Sequence, residues 1–271
     1  MELILLGTGA PPPNPKTSGQ SDGIIANDKL YLVDAGRNVV RQLAAAGFPP
    51  GGVDHLFFTH FHSDHYTGFG DFYITRWMFG GKTPLKVYGP PPVEEIVERM
   101  LKYYEYDVEV RAAEGRPRDG LEIEVKVLAP GDSMEVDGIG VRVEEGTHHG
   151  NIEHMLSYRF EAEGRVIVLA SDGGPTEKLV PFAKGADVLV MHPCVAEILV
   201  EQMGQTPEQA ARIASHHATA EEIGKTAAAA GAGKVVLSHI LPPMAPRDKL
   251  CAQIAERFGG EVAAGQDLMR I

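Results

Sequence analysis

Short apolar runs recur along the chain and predict β-strands. Several of them are continuously apolar rather than alternating, which is the pattern of strands covered on both faces. The runs are 2–6, 24–26, 30–33, 56–59, 85–88, 122–128, 141–144, 155–160, 166–170, 188–191 and 234–238. Helical patterns lie between them, at 39–46, 93–104, 207–215, 220–230 and 247–258. Strands that alternate with helices in both halves predict an α/β protein with helices packed outside the sheets.

The chain carries no charge block, low-complexity tract or linker that would mark a domain boundary. Its Pro- and Gly-rich stretches, at 10–15, 48–52, 89–92 and 241–246, are short enough to be turns between elements. We therefore expect residues 1–271 to form a single domain.

The charge balance is acidic, with 25 Lys and Arg against 37 Asp and Glu and a formal net charge of −12. This balance argues against a surface dominated by phosphate contacts, although it leaves room for a local basic groove. Cys194 and Cys251 are too few for a disulfide framework. The apolar N-terminus is too short for a signal peptide, and no segment approaches the roughly 18 apolar residues of a membrane helix. We expect a cytoplasmic protein whose partners are neither membranes nor nucleic acids.

The richest chemistry in the chain follows the strand at 56–59, in the run His60-Phe61-His62-Ser63-Asp64-His65. His60 and His62 are two residues apart in a chain that is still extended, so both imidazoles point the same way. Asp64 and His65 follow where the chain turns, and they can reach a second point a few ångström away. Three imidazoles and a carboxylate suit borderline divalent ions, with Zn first and Mn or Fe next. A buried run of this kind has little packing value without metal.

Other predicted strands also end in residues of the ligand type. The strand at 166–170 runs into Ser171 and Asp172, and the strand at 234–238 runs into His239. Ligands at strand ends predict a site built along one rim of the sheets. His192 also ends a strand near this rim, and its ring could equally well bond a backbone carbonyl. Asp34 is either a support behind a ligand histidine or the cap of a turn.

These residues, with several flanking segments, resemble the metallo-β-lactamase superfamily of metal-dependent hydrolases, in the branch that contains ribonuclease Z and the metal-dependent arylsulfatases. The flanking segments are Leu6-Gly7-Thr8-Gly9-Ala10-Pro11, Leu32-Val33-Asp34-Ala35-Gly36, Leu85-Lys86-Val87-Tyr88-Gly89-Pro90 and Ser157-Tyr158-Arg159-Phe160. The resemblance covers essentially the whole chain, and it implies a four-layer αββα sandwich of the α/β class.

The resemblance also implies a ligand set for two divalent ions, zinc being the expected metal. His60, His62 and His149 would hold one ion, and Asp64, His65 and His239 would hold the other. Asp172 would bridge the two ions. His149 is preferred to His148 because it stands at the branch's usual distance before the Tyr158-Arg159 pair.

The implied reaction is ester hydrolysis by a metal-bridging hydroxide, which Asp64 can orient. His217 resembles the branch's histidine near the site and is a candidate general acid. In ribonuclease Z that histidine pairs with a glutamate at the preceding strand end, whereas this chain has Met191-His192-Pro193-Cys194 there. The sequence therefore shows no obvious orienting partner for His217, leaves open what orients it, and argues against ribonuclease activity.

The expected substrate is a small phosphodiester or an aryl sulfate ester. A lactonase or another carboxylic-ester hydrolase is the alternative, because the same hydroxide can attack an acyl carbon. Processing of the 3′ end of tRNA ranks lower, since we see no protruding basic and Gly-rich arm. Two other classes are a flavodiiron-type redox enzyme, whose relatives have a glutamate where His62 stands, and a metal-bound module without catalysis. Relatives in this branch are often dimers, so a homodimer is also expected.

Overall fold

Two seven-stranded sheets form the centre of the computed structural model, which describes residues 1–146 and 152–271. The first sheet contains β1 (Glu2–Gly7), β2 (Ser21–Ala26), β3 (Lys29–Val33), β4 (His55–Phe57), β5 (Leu85–Gly89), β6 (Ile123–Val127) and, beside β1 at its edge, β14 (Met269–Arg270). The second sheet contains β7 (Ser133–Val136), β8 (Ile139–Glu145), β9 (Leu156–Ala162), β10 (Arg165–Leu169), β11 (Val188–Met191), β12 (Lys234–Leu237) and β13 (Glu261–Ala264).

Each sheet is antiparallel on one side and parallel on the other. In the first sheet β14, β1, β2 and β3 pair antiparallel, and β3, β4, β5 and β6 pair parallel. In the second sheet β7, β8, β9 and β10 pair antiparallel, and β10, β11, β12 and β13 pair parallel. Parallel neighbours present their carboxyl ends at one edge of a sheet, so the residues that follow these strands are brought together.

Helices cover the outer faces of both sheets. The helices are α1 (Val39–Ala45), α2 (Ser63–Tyr66), α3 (Phe69–Met78), α4 (Val93–Ala113), α5 (Leu179–Phe182), α6 (Ala196–Met203), α7 (Pro207–Ala214), α8 (Ala220–Ala230) and α9 (Arg247–Phe258). α7 and α8 each begin with a capping box, formed by Thr206 with Gln209 and by Thr219 with Glu222. None of the helices in the described ranges combines the length and the apolar character that a membrane crossing requires.

Three apolar layers hold the elements together. Between the sheets, Phe57 meets Tyr158 and Phe160 edge to face, at centroid distances of 5.5 and 5.6 Å. The outer face of the first sheet packs on α1, α3 and α4, and the outer face of the second sheet packs on α5, α8 and α9. Helix, sheet, sheet and helix therefore form the four-layer αββα sandwich that the family resemblance implied.

Each predicted strand overlaps an observed one, whereas several elements were not predicted. β7, β13 and β14 were missed, and so were α2, α3, α5 and α6. The strand predicted at 56–59 ends at Phe57, and the helix predicted at 93–104 continues to Ala113. The predictions for α8 and α9 match the observed bounds.

Candidate metal centre

His60 and His62, which follow β4, turn their imidazoles toward the same place. The Nε2 atom of His60 and the Nδ1 atom of His62 are 3.0 Å apart. His62 itself has extended dihedral angles, with φ −69° and ψ 141°. The prediction that both imidazoles point the same way is confirmed.

Asp64 and His65 lie in the short helix α2, where the chain turns away from the sheet. Both are buried, and together with His239 they offer ligand atoms that all lie within 4.8 Å of one another. The His239 Nε2 atom donates a hydrogen bond of 2.9 Å to Oδ2 of Asp64, across 175 positions of sequence. The fold therefore brings the motif after β4 next to His239, which lies two residues beyond the end of β12.

Asp172 is the point where the two halves of the cluster meet. It shares a second group of potential ligands with His60 and His65. Its Oδ1 atom lies 3.5 Å from Nδ1 of His239, 3.6 Å from Nε2 of His217 and 3.8 Å from Nδ1 of His192. His192, whose role the sequence left open, thus belongs to this cluster.

Asp34 and Thr59 support the cluster from behind. Asp34 follows β3, and its Oδ2 atom accepts hydrogen bonds from Nδ1 of His65 and from Oγ1 of Thr59, both at 2.8 Å. Because the Thr59 proton is used in this way, Thr59 Oγ1 accepts in turn from Nδ1 of His60, at 3.0 Å. These bonds hold both rings through Nδ1 and turn the Nε2 atoms of His60 and His65 toward the centre. Asp34 therefore supports ligand histidines, which was one of its two predicted roles.

His217 has an orienting partner that the sequence did not predict. Its Nδ1 atom donates a hydrogen bond of 2.8 Å to the backbone carbonyl of Ile213, in the last turn of α7. This bond answers the question that the sequence left open, namely what orients His217 in the absence of the glutamate. The bond fixes the ring with Nε2 on the side of Asp172.

Burial and facing charges set the protonation states in the cluster. Burial lowers the pKa of His60 well below its usual value and lowers that of His192 to about 3. Burial opposes ionisation of Asp172, but His239, His217 and the other facing imidazoles outweigh it and lower its pKa well below the usual range. The carboxylate of Asp34 likewise overcomes the effect of burial on His65 and raises its pKa to about 9. His60 and His192 are therefore neutral at neutral pH, and Asp172 is ionised.

Four buried polar atoms in the cluster have no hydrogen-bond partner among the described residues. They are Nε2 of His65, Oδ1 of Asp172, Nδ1 of His192 and Nδ1 of His239. An unsatisfied buried polar atom costs about 1–3 kcal/mol, so several in one place indicate a missing positive group. Imidazole nitrogens and carboxylate oxygens are the donor set that divalent zinc takes. The residues present therefore fit a metal centre.

The remaining predicted ligand cannot be placed. His149, and the alternative His148, fall in 147–151, outside the described residues. Of the predicted ligands, the structure brings together His60, His62, Asp64, His65, Asp172 and His239, and it adds His192 beside them.

Comparison with known proteins identifies the family. The β-lactamase superfamily domain matches residues 30–240 of the chain. The chain belongs to the metallo-β-lactamase superfamily. This is a superfamily of hydrolases whose fold implies divalent metal ions, in agreement with the donor set described above.

Two curated relatives in this superfamily match the whole chain. Ribonuclease Z of Mycobacterium bovis (strain BCG / Pasteur 1173P2) is 34% identical over 277 residues, covering 100% of this chain and 98% of the relative. Ribonuclease Z of Mycobacterium sp. (strain KMS) is 36% identical over 277 residues, covering 100% and 95%.

Solved structures show the same fold at lower sequence identity. The metallo-β-lactamase fold protein YhfI from Bacillus subtilis has a TM-score of 0.78 at 18% identity, covering 100% of this chain and 98% of its own. Human tRNase Z, short form, has a TM-score of 0.75 at 20% identity, covering 100% and 98%. Zn²⁺-bound PqqB from Methylobacterium extorquens has a TM-score of 0.74 at 17% identity, covering 100% and 99%.

Proposed function

We propose that this protein hydrolyses small phosphodiesters with the help of two zinc ions. The observation that carries the proposal is the arrangement around Asp172, where unpaired buried ligand atoms adjoin an oriented histidine, His217. Ester hydrolysis by this route requires metal ions and a proton donor. The potential metal ligands and His217 both adjoin the carboxylate of Asp172.

The ligands would divide between the ions as the family resemblance implies. His60, His62 and His149 would hold one ion, Asp64, His65 and His239 would hold the other, and Asp172 would serve both. When bound, the two ions supply an activated water and neutralise charge on the ester's oxygens. Asp34 and Thr59 keep the rings of His65 and His60 in the orientation that binding needs.

His217 would protonate the leaving group. In its cationic form the ring carries a proton on Nε2, which faces the ionised Asp172. Transfer of that proton to the departing oxygen leaves a neutral ring, whose Nδ1–H still donates to the carbonyl of Ile213.

The choice of a phosphodiester follows from the relatives, and the choice of a small one follows from charge. Two relatives that match the whole chain are ribonucleases, and the bond between nucleotides in RNA is a phosphodiester. A net charge of −12 disfavours a long polyanion, because phosphate contacts supply most of the affinity for nucleic acids. RNA remains the second candidate, since the names of the relatives favour it. An aryl sulfate presents a tetrahedral group similar to that of a phosphodiester. A lactone is the alternative substrate in which an acyl carbon is attacked.

A comparison of substrates tests the proposed function. We expect zinc-loaded protein to show its highest kcat/KM with a bis-aryl phosphate, followed by an aryl sulfate, a lactone and a precursor tRNA. Removal of zinc with a chelator should abolish turnover, and added zinc should restore it. Higher kcat/KM on the lactone or on the tRNA would overturn the proposal in favour of that substrate.

Replacement of His217 tests its role as the proton donor. With His217→Gln we expect kcat on a phosphodiester with a poor alkoxide leaving group to fall by about 10²- to 10⁴-fold. A nitrophenolate leaving group needs little protonation, so its kcat should fall far less, and the zinc content should not change. His216→Gln is the matched control, since the neighbouring ring is not assigned to the site. An equal loss with both leaving groups would contradict general-acid catalysis by His217.

A further inference from the structure

His192 occupies the middle of three neighbouring strand ends. β10, β11 and β12 are adjacent and parallel, with Leu169 opposite Val190 and Met191 opposite Leu237. His192 follows β11 directly, and Asp172 and His239 lie just beyond the ends of the flanking strands. The sheet therefore presents the three side chains at the same edge.

The surroundings of His192 are those expected of a metal ligand. The residue is only 4% exposed, and its ring centroid lies 5.4 Å from that of His239. Its Nδ1 atom, Oδ1 of Asp172 and Nδ1 of His239 are three of the buried atoms without a partner among the described residues. Both nitrogens are 3.5–3.8 Å from the carboxylate oxygen, beyond a good hydrogen bond.

A divalent ion resolves this arrangement. The three residues offer ligand atoms that all lie within 4.8 Å of one another, close enough for one ion to bind all three. The alternative to a metal ion is an ordered water that hydrogen-bonds to the same three atoms.

We propose that His192 is a further metal ligand, which holds the second ion together with Asp172 and His239. The proposal rests on the metal centre of the proposed function and deepens it. It adds an imidazole to the ion that His239 binds, with Nδ1 as the ligand atom of His239, because Nε2 of that ring is bonded to Asp64. A site with more imidazole nitrogens favours zinc and its transition-metal neighbours over magnesium and calcium.

The test is NMR of protein loaded with cadmium in its NMR-active isotope. Through-bond coupling between the metal and imidazole ring protons occurs only for coordinated histidines. We expect a cross peak from His192 to the cadmium ion that also couples to His239. The cross peak should be absent in His192→Gln, and affinity for the second zinc ion should fall by about 10- to 100-fold or more.

His154→Gln is the matched control, because His154 is exposed and belongs to none of the groups of potential ligands. If His192→Gln does not fold, the wild-type spectrum with assigned ring protons decides alone. No coupling to His192 in folded, loaded protein would overturn the proposal and leave a water-bound histidine. These readouts do not involve turnover. If the protein binds two ions, with His192 as a ligand of one of them, but hydrolyses none of the substrates, the proposed function is refuted and the role of His192 stands.

Discussion

Asp34 is a single residue that joins two strand ends to the metal centre. Its backbone has φ 58°, a left-handed conformation that Asp and Asn adopt more readily than other side chains. Its Oδ1 atom accepts from the backbone N–H of Thr59, and Oδ2 accepts from the Thr59 hydroxyl and from His65. One carboxylate thus sets the orientation of His65 directly and that of His60 through Thr59.

Removal of the Asp34 charge should weaken metal binding. Asn at position 34 keeps the left-handed backbone, but its amide nitrogen cannot accept hydrogen bonds from His65 and Thr59. We expect Asp34→Asn to lower zinc affinity by about 10- to 100-fold, measured by competition with a chromophoric chelator. Asp28→Asn is the matched control, since Asp28 is exposed and has a similar φ of 60°. Equal affinities in the two variants would refute the supporting role.

The sequence left the surroundings of two residues, His192 and His217, open. Only for His192 did it contain a signal that predicts them. His192 follows a continuously apolar strand, as Asp172 and His239 nearly do, so its place at the rim was predictable. The partner of His217 was not, because a backbone carbonyl such as that of Ile213 carries no residue identity. The rest of the described ligand cluster was predictable because its side chains stand in short motifs at strand ends.

At the scale of elements, burial decided what could be predicted. The central parallel strands β4, β11 and β12 are buried on both faces and therefore read as apolar runs. α4 was cut short because its second half is polar and is stabilised instead by ion pairs along the helix, Lys102 with Glu105 and Arg111 with Asp107. The spacing of apolar residues alone therefore does not predict that α4 continues beyond residue 104.

The missed strand β7 belongs to a hairpin with β8. Its turn is Asp137-Gly138, whose φ values are 49° and 83°. This dipeptide is a strong turn signal between strands, so β7 was predictable from the turn rather than from its own weakly apolar sequence. β13 and β14 are short edge strands, and only their pairing defines them.

At the scale of the whole molecule, a polar contact joins the two sheets. His55 begins β4, and its Nε2 atom lies 3.3 Å from Oδ2 of Asp137, in the turn of the second sheet. Lys29 donates to the same oxygen at 2.5 Å, and the Tyr88 hydroxyl lies 3.3 Å from Nδ1 of His55. The Tyr31 ring stacks on the imidazole at 5.2 Å. The contact lies at the start of the strand whose other end leads to His60.

This contact should make the stability of the protein depend on pH. Burial lowers the pKa of His55 below 6.5, although Asp137 acts in the opposite direction. As the pH falls through about 6.5, the unfolded chain takes up a proton at His55 before the folded chain does, so the free energy of unfolding decreases. The effect ends once the pH is below the folded-state pKa.

We expect His55→Gln to lose less stability than the wild type between about pH 7 and pH 5. The measurement is denaturant unfolding of the metal-free protein with a chelator present, so that zinc ligands do not add their own metal linkage. His154→Gln should keep the wild-type dependence on pH. Parallel curves for the wild type and His55→Gln would show that His55 does not contribute.

The position of β14 has a consequence for the order of events during synthesis. The chain leaves the second sheet after β13 and pairs β14 with β1, and Asp267 accepts hydrogen bonds from Thr8, Ser18 and Gln42 on the way. During synthesis β1 is made long before β14, so the edge of β1 that pairs with β14 stays open until β14 has been translated. His239 is likewise made after Asp64, His65 and Asp172, so the cluster that these four residues form is completed only when the chain has been translated beyond β12.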